Sequence, residues 1–273
     1  MEPGEPDLKW WGRTDKGPFR KNNEDAFLAL TFDAHEVRLL GKEGEADFAL
    51  GDFVFAVSDG MGGANAGEFA SRIAVQKLTE RFPRVYRTAR MENDAEREAV
   101  LVDLVGHIHL EMSMMSRYYE ECSGMGATLS LIWLSPTSAC FCHVGDSRLY
   151  LLKADGHLTQ ISHDHTHVGW LYREGRLTER EVRAHEGRNR LQMVLGGRTQ
   201  SLDPQTGCIA LERGDAFVLC TDGLIEGLWD STIQRLLLNP PPRLAGLSPA
   251  ARLITEALDA SGRDNTTVVV IQL

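Results

Sequence analysis

Apolar residues fall into short runs and alternating stretches that predict seven β-strands. Several of these stretches are rich in β-branched or aromatic residues, and turn residues separate them. A Gly-Asp-Ser turn at 145–147 lies between the predicted strands Ala139–Val144 and Arg148–Leu152 and predicts a β-hairpin there. The predicted strands are Ala26–Thr31, Phe53–Ser58, Thr128–Leu134, Ala139–Val144, Arg148–Leu152, Ala216–Thr221 and Thr267–Gln272.

Other segments place apolar residues at helical intervals. In one of them Thr178 is followed three positions later by Glu181, which is the spacing of a capping box. Strand and helix blocks are segregated along the chain, which favours an α+β layered domain with mostly antiparallel sheets. The predicted helices are Glu68–Phe82, Asp94–Tyr119, Thr178–Ala184, Ser231–Leu238 and Pro249–Ala260.

Composition narrows the classes of function. The 273 residues carry a formal net charge of -10, which argues against a broad basic face for nucleic acid. No apolar run reaches the ~18–20 residues of a membrane span, and the acidic start MEPGEPDLKWWG does not resemble a secretory signal. We therefore expect a cytoplasmic protein without nucleic-acid or membrane partners.

The five cysteines are an odd number and form no C-x-x-C pair. Most of them stand beside aliphatic or aromatic residues, so we predict reduced, buried thiols rather than a zinc or redox site. They are Cys122, Cys140, Cys142, Cys208 and Cys220.

One local design recurs five times: an aspartate at the end of an apolar strand, next to a turn residue. Any one of them alone reads as a turn aspartate, since Asp-Gly is a frequent turn dipeptide. Five together favour a shared site, and neighbouring carboxylates stay ionised only if cations neutralise them. Oxygen ligands suit Mg²⁺ or Mn²⁺, and a pair of such ions commonly serves displacement at phosphorus. The five are Asp25, Asp59, Asp146, Asp222 and Asp264.

The motifs around these aspartates resemble those of the metal-dependent Ser/Thr protein phosphatase family, type 2C, in the same order. They are RKNNEDAF, VSDGMGGANAGEFAS, GMGATL, HVGDSRLYLL, LTQISHDHT, RNRLQMVLGG, VLCTDGLIEGL and GRDNTTVVVI. The resemblance implies a four-layer sandwich of two antiparallel sheets flanked by helices, with a dimetal centre at one edge. It implies an extension at residues 1–10 and a catalytic domain at residues 11–273, with a flap at about 163–197.

The resemblance also implies residue roles around two Mn²⁺ or Mg²⁺ ions. Asp59 would bridge the ions, and Asn265 would orient neighbouring ligands. Arg20 would bind the substrate phosphate. A weaker third ion would lie between Asp146 and Asp222. The remaining implied metal ligands are the Gly60 carbonyl, Asp222, Asp264, Asp25 directly or through water, and Glu24 through water.

The implied reaction is hydrolysis of phosphoserine and phosphothreonine in proteins by a metal-bridged water attacking phosphorus in line. The enzyme would act as a monomer and oppose Ser/Thr kinases. A pseudophosphatase that only binds phosphoproteins is one alternative, although the retained acidic residues and Arg20 argue against it. A small-molecule phosphatase with the same centre is another.

Some positions depart from the family pattern or admit a second reading. Met61 and Ala64 stand where some members carry histidine, so the proton donor to the leaving group is unassigned. The HDHTH segment at 163–167 reads as part of the flap base or, alternatively, as a zinc site. Arg188 and Arg190 near the flap end are either solvated surface or a recruiting site for acidic substrates.

Overall fold

The computed structural model of the protein describes residues 7–33, 35–62, 66–88, 93–197 and 201–273. Within these residues the chain forms two antiparallel β-sheets with α-helices packed on their outer faces. This arrangement confirms the predicted α+β sandwich. Ala64 and residues 1–6 of the predicted extension lie outside the described residues.

All seven predicted strands are present, each within three residues of its expected bounds, and the described part of the chain contains seven further strands. The strands are β1 (Leu8–Asp15), β2 (Asp25–Phe32), β3 (Val37–Leu39), β4 (Glu43–Ala46), β5 (Asp52–Met61), β6 (Gly126–Ala127), β7 (Leu129–Leu134), β8 (Ser138–Val144), β9 (Arg148–Leu152), β10 (Leu158–Gln160), β11 (Leu195–Gly196), β12 (Gln205–Ala210), β13 (Ala216–Cys220) and β14 (Thr266–Gln272). Strand β1 begins three residues before the predicted domain start, because it pairs with β14 and β4 inside the first sheet.

The five predicted helices are also present, and two further short helices occur among the described residues. Thr178 and Glu181 form the predicted capping box, each side chain bonding the other's backbone N–H. Single 3₁₀ turns occur at Phe48–Leu50 and Glu120–Cys122. The helices are α1 (Ala66–Thr88), α2 (Asp94–Tyr118), α3 (His167–Arg173), α4 (Glu179–Ala184), α5 (Asp222–Gly227), α6 (Asp230–Leu238) and α7 (Pro249–Ala260).

Strand pairing shows that the predicted hairpin of β8 and β9 is wrong. The first sheet has the order β10-β9-β13-β14-β1-β4. The second has the order β11-β6-β5-β7-β8-β12, and in addition β2 pairs with β5 and β3 pairs with β2. Strand β8 therefore belongs to the second sheet and β9 to the first. Both strands are buried along their whole length, and each pairs with two strands of its own sheet. The three residues between them cross from one sheet to the other.

Three apolar clusters hold four layers together. The first lies between the sheets and contains Trp10, Phe55 and Phe217. The second joins the second sheet to α1 and α2, where Phe82 packs edge-on against Trp133 at 5.1 Å. The third joins the first sheet to α5, α6 and α7. Burial of this extent is the main stabilising term of such a fold, and it fixes the strand ends that carry the predicted site.

The cysteine prediction is correct for three residues and wrong for two. Cys122, Cys142 and Cys220 are buried free thiols. Cys140 of β8 and Cys208 of β12 stand directly opposite each other, with Cα atoms 4.1 Å apart, and form a disulfide. The two residues are 68 positions apart in the chain, so only the pairing of β12 with β8 reveals their contact. In the described part of the chain, no helix is long and apolar enough to cross a membrane.

Candidate metal centre

The five predicted aspartates meet at one edge of the sandwich, where strands of both sheets end. Asp25 begins β2 and lies opposite Asp59 of β5 in the strand register. Asp222 begins α5 two residues after the end of β13, and Asp264 lies two residues before β14. Asp146 lies where the chain crosses between the sheets. Strand ends thus hold all five carboxylates on a rigid frame.

The pKa of Asp59 shows how close these charges lie. Burial raises this pKa well above its ordinary value, and the negative charges of the other four aspartates raise it further. Burial likewise raises the pKa of Asp222, with additional contributions from Asp146, Asp264 and Asp25. Carboxylates grouped in this way repel one another unless a cation lies among them.

Asp25 offers the most direct sign that the site suits a cation. Its Oδ2 accepts a 2.8 Å hydrogen bond from the Thr221 hydroxyl, which is itself held by the backbone N–H of Thr267 at 2.9 Å. Its Oδ1 is buried and receives no hydrogen bond from the described residues. A buried polar atom without a partner is costly, and a carboxylate oxygen in an all-oxygen centre is a suitable ligand for Mg²⁺ or Mn²⁺.

Burial also raises the pKa of Asp25 to about 7, although the hydroxyls of Thr267 and Thr221 oppose this increase. Burial and the nearby charge of Asp164 raise the pKa of Asp146 to about 7. Divalent cations would shift both groups to their ionised forms, because they stabilise the carboxylate that binds them. The residues present therefore fit the metal ions that the sequence predicts.

Gly60 and Asn265 support the centre through the backbone. The Gly60 N–H donates to the Glu24 carbonyl at 3.0 Å, and a Cβ on Gly60 would lie 1.8 Å from the carbonyl oxygen of Gly67. Only glycine therefore fits between β5 and the start of α1. The Asn265 side chain accepts from the Glu24 N–H at 2.7 Å and donates to the carbonyls of Lys16 and Asn22, both at 3.0 Å. It fastens the loop that carries Arg20 and Glu24 to the base of β14.

Arg20 lies beside the acidic centre and is open to solvent. Its guanidinium donates to Asp264 Oδ2, and 46% of its side chain is exposed. This contact orients the guanidinium while leaving other N–H groups free to meet a ligand. Arginine in this position can donate two parallel hydrogen bonds to two oxygens of one phosphate.

The centre is more open than a compact chelating site. Among the described residues, the one group of three ligand-type side chains with atoms within 4.8 Å of one another is Asp94, Cys140 and Cys208. The two cysteines of that group are bonded to each other. The wider spacing of the aspartates suits hydrated ions, which some ligands reach through water, as the family resemblance implies for Glu24.

Sequence reasoning missed Arg148, which stabilises the segment that follows the Asp146 loop. Arg148, buried at the start of β9, grips Asp164 through Nε at 2.9 Å and Nη2 at 2.7 Å. His165 Nδ1 accepts a 3.1 Å hydrogen bond from the Gly145 N–H. These contacts are consistent with the interpretation of HDHTH as part of the flap base. The described residues include no group of three histidines close enough to bind one metal ion. The only signal in the sequence was an arginine within an apolar strand.

The two-sheet sandwich thus carries, at one edge, an acidic centre that suits cations and an adjacent arginine that suits an anionic ligand. Comparison with known families specifies the class. The sequence profile of Protein phosphatase 2C matches residues 46–244, which is more than half of the chain. The chain belongs to the protein phosphatase 2C family.

The relatives are bacterial phosphatases. The chain is 33% identical to the Ser/Thr protein phosphatase PstP of Mycobacterium tuberculosis over 96% of its length, but spans 44% of that relative. It is 28% identical to the Ser/Thr phosphatase stp of Listeria monocytogenes, covering 95% of this chain and 94% of the relative. A solved structure of the catalytic domain of PstP with two manganese ions has 32% identity and a TM-score of 0.69, covering 97% of each chain.

Proposed function

We propose that the protein is a metal-dependent phosphatase that hydrolyses phosphoserine and phosphothreonine in other proteins. The observation that carries the proposal is the partnerless, buried Oδ1 of Asp25 within a group of five aspartates. Arg20 beside this group supplies a place for the phosphate. The names of the relatives support protein phosphomonoesters as the substrate class.

We assign two Mn²⁺ or Mg²⁺ ions to the centre, in line with the two manganese ions of the PstP structure. Asp59 would lie between the ions, and Asp146 with Asp222 would hold a weaker third ion. When bound, such cations make a water molecule more acidic and neutralise charge on the phosphoryl oxygens. The further ligands are the Gly60 carbonyl, Asp222, Asp264, Asp25 and, through water, Glu24.

The chain's own residues orient the substrate and hold the ligands in place. Arg20 would bind two phosphoryl oxygens, and its contact with Asp264 holds the guanidinium beside the acidic centre. Asn265 and Gly60 keep the ligand-bearing loops in register. Met61 follows Gly60 in the chain and offers no proton, so we assign protonation of the leaving alcohol to a water in the open cleft.

The cellular context remains a set of predictions. We expect the substrates to be products of a Ser/Thr kinase system, and we expect the enzyme to be a cytoplasmic monomer. If the protein is a monomer, analytical ultracentrifugation should show a single species with the mass of one chain. Phosphoproteomic comparison of cells with and without the active protein would reveal whether kinase targets accumulate.

A phosphate-release assay tests the proposed function. Purified protein with Mn²⁺ should hydrolyse a phosphothreonine peptide in preference to nucleotides and sugar phosphates, and EDTA should abolish the activity. Asp59→Asn and Asp222→Asn should each lower kcat more than about 100-fold, because each removes a charge that holds a cation. Asp155→Asn, a change in an exposed turn, is the control. A folded protein without metal-dependent hydrolysis, or full turnover in both site variants, would contradict the proposal.

A further inference from the structure

A cleft of about 270 Å³ leads away from the acidic centre. Asp146 and Asp222 lie at its inner end, residues of the flap form one wall, and the end of α5 with Trp229 forms the other. This volume is just below the usual ~300–1,000 Å³ of a small-molecule pocket. The cleft therefore suits a side chain of a longer ligand better than a separate cofactor.

Two arginines of the flap tie the walls of this cleft together. Arg183 of α4 lies over the Trp229 ring at 4.2 Å and donates to the carbonyls of Ile225 and Leu228. Arg188 donates to Glu226 at 2.9 Å. Because these contacts join the flap to the catalytic body, the cleft has its shape before a ligand arrives, which lowers the ordering cost of binding.

Of the four arginines that line the cleft, three have an acidic partner among the described residues. Arg148 is paired with Asp164, Arg183 with Glu179, and Arg188 with Glu226. Arg263 also lines the cleft, is exposed, and has no acidic partner within the described part of the chain. It directly precedes Asp264, whose carboxylate holds Arg20. An available cation thus lies beside the proposed phosphate site.

We propose that this cleft is a peptide subsite and that Arg263 selects an acidic side chain next to the phosphorylated residue. The inference rests on the proposed function, because the phosphorylated residue must first occupy the acidic centre. An extended peptide advances ~3.3 Å per residue, so residues close to the phosphorylated one would reach the cleft. A guanidinium–carboxylate pair in a partly enclosed cleft is screened less than the same pair on an open surface.

The structure also decides between the arginines of this region. Arg188 already neutralises Glu226 and is therefore less available to a substrate carboxylate. Arg190 is exposed and does not line the cleft. Of the two arginines that the sequence suggests for recruiting acidic substrates, Arg188 is thus paired with Glu226 and Arg190 lies outside the cleft. Arg263, which the sequence did not single out, has the position and the unpaired charge.

The test uses a set of phosphothreonine peptides. Each peptide carries Asp, Asn or Lys at a single position, which is one of the two residues before or the two residues after the phosphothreonine. Wild-type protein with Mn²⁺ should favour Asp over Asn at one of these positions by about 5-fold in kcat/KM, corresponding to ~1 kcal/mol. Arg263→Ala should reduce this ratio to about 1, and Arg263→Glu should make the Lys peptide the better substrate. Arg190→Ala, the matched control, should keep the wild-type ratio.

The outcomes separate the subsite from the proposed function. Equal kcat/KM for the Asp and Asn peptides at every position, or a preference that persists in Arg263→Ala, overturns the subsite and leaves the phosphatase proposal intact. Failure of wild-type protein to hydrolyse any of the peptides overturns both. Because the readout is a ratio within one variant, a general loss of activity near Asp264 does not imitate the expected result.

Discussion

Asp25 should make the stability of the metal-free protein fall as pH rises. Burial raises its pKa to about 7 in the folded chain, against an ordinary value near 4. The folded state therefore retains a proton that the unfolded chain releases between these two values. The contribution of Asp25 to the free energy of unfolding is therefore largest below about pH 4 and decreases through the window up to about pH 7.

The size of this effect follows from the shift in pKa. For a single group whose pKa is about 4 in the unfolded chain and about 7 in the folded chain, linkage predicts a loss of free energy of unfolding. This loss is roughly 2–3 kcal/mol between about pH 5 and about pH 8. Asp146, whose pKa is also raised to about 7, acts in the same direction. Asn at position 25 can accept the Thr221 hydrogen bond but cannot ionise, so Asp25→Asn removes only this residue's share.

Urea denaturation of EDTA-treated protein, followed by tryptophan fluorescence, measures the effect. The stability of Asp25→Asn relative to wild type should increase by roughly 2–3 kcal/mol from about pH 5 to about pH 8. Asp155→Asn, the control in an exposed turn, should follow wild type. Mn²⁺ should stabilise wild type more at the higher pH, because the ion binds the carboxylate form. A difference between Asp25→Asn and wild type that does not change with pH would refute the reasoning.

Arg20, Gly60 and the Cys140–Cys208 bridge allow three further tests. Arg20→Ala should lower kcat/KM for a phosphopeptide about 10–100-fold through loss of a charge-assisted contact, with partial recovery in Arg20→Lys; unchanged kcat and KM would count against its role. Gly60→Ala should cost more than about 2 kcal/mol in urea denaturation, whereas Gly106→Ala, at an open helical position, should be neutral or stabilising; similar effects would contradict the close approach at β5. A reductant should destabilise wild type by up to ~4 kcal/mol, because the Cys140–Cys208 bridge closes a long loop, and should leave Cys208→Ser unaffected; an equal response would argue against the bridge.

The strands and the acidic residues could be predicted because both depend on local patterns. Alternation of apolar residues specifies a strand wherever one face is buried, and all seven predicted strands are present. The position of Asp59 or Asp222 at the end of its strand also follows from the local sequence pattern. That the five aspartates share one edge required either the structure or the resemblance to a known family.

Features that depend on pairing between distant segments could not be predicted from local pattern. The Gly-Asp-Ser turn at 145–147 has hairpin composition, yet β8 and β9 find better-buried partners in different sheets. The Cys140–Cys208 bridge depends on the register of an edge strand that the sequence did not reveal. The hydrogen bond from Thr221 to Asp25 spans 196 positions and joins the two sheets. Each of these contacts is decided by tertiary packing.

Anomalous diffraction from crystals soaked in Mn²⁺ tests the central claim most directly, because it locates the ions independently of turnover. We expect two strong peaks on either side of Asp59, with Asp222 and Asp264 at one of them and the Asp25 side chain nearby. Strong peaks elsewhere on the molecule, with none at Asp59 although the soak has reached the crystal, would contradict it.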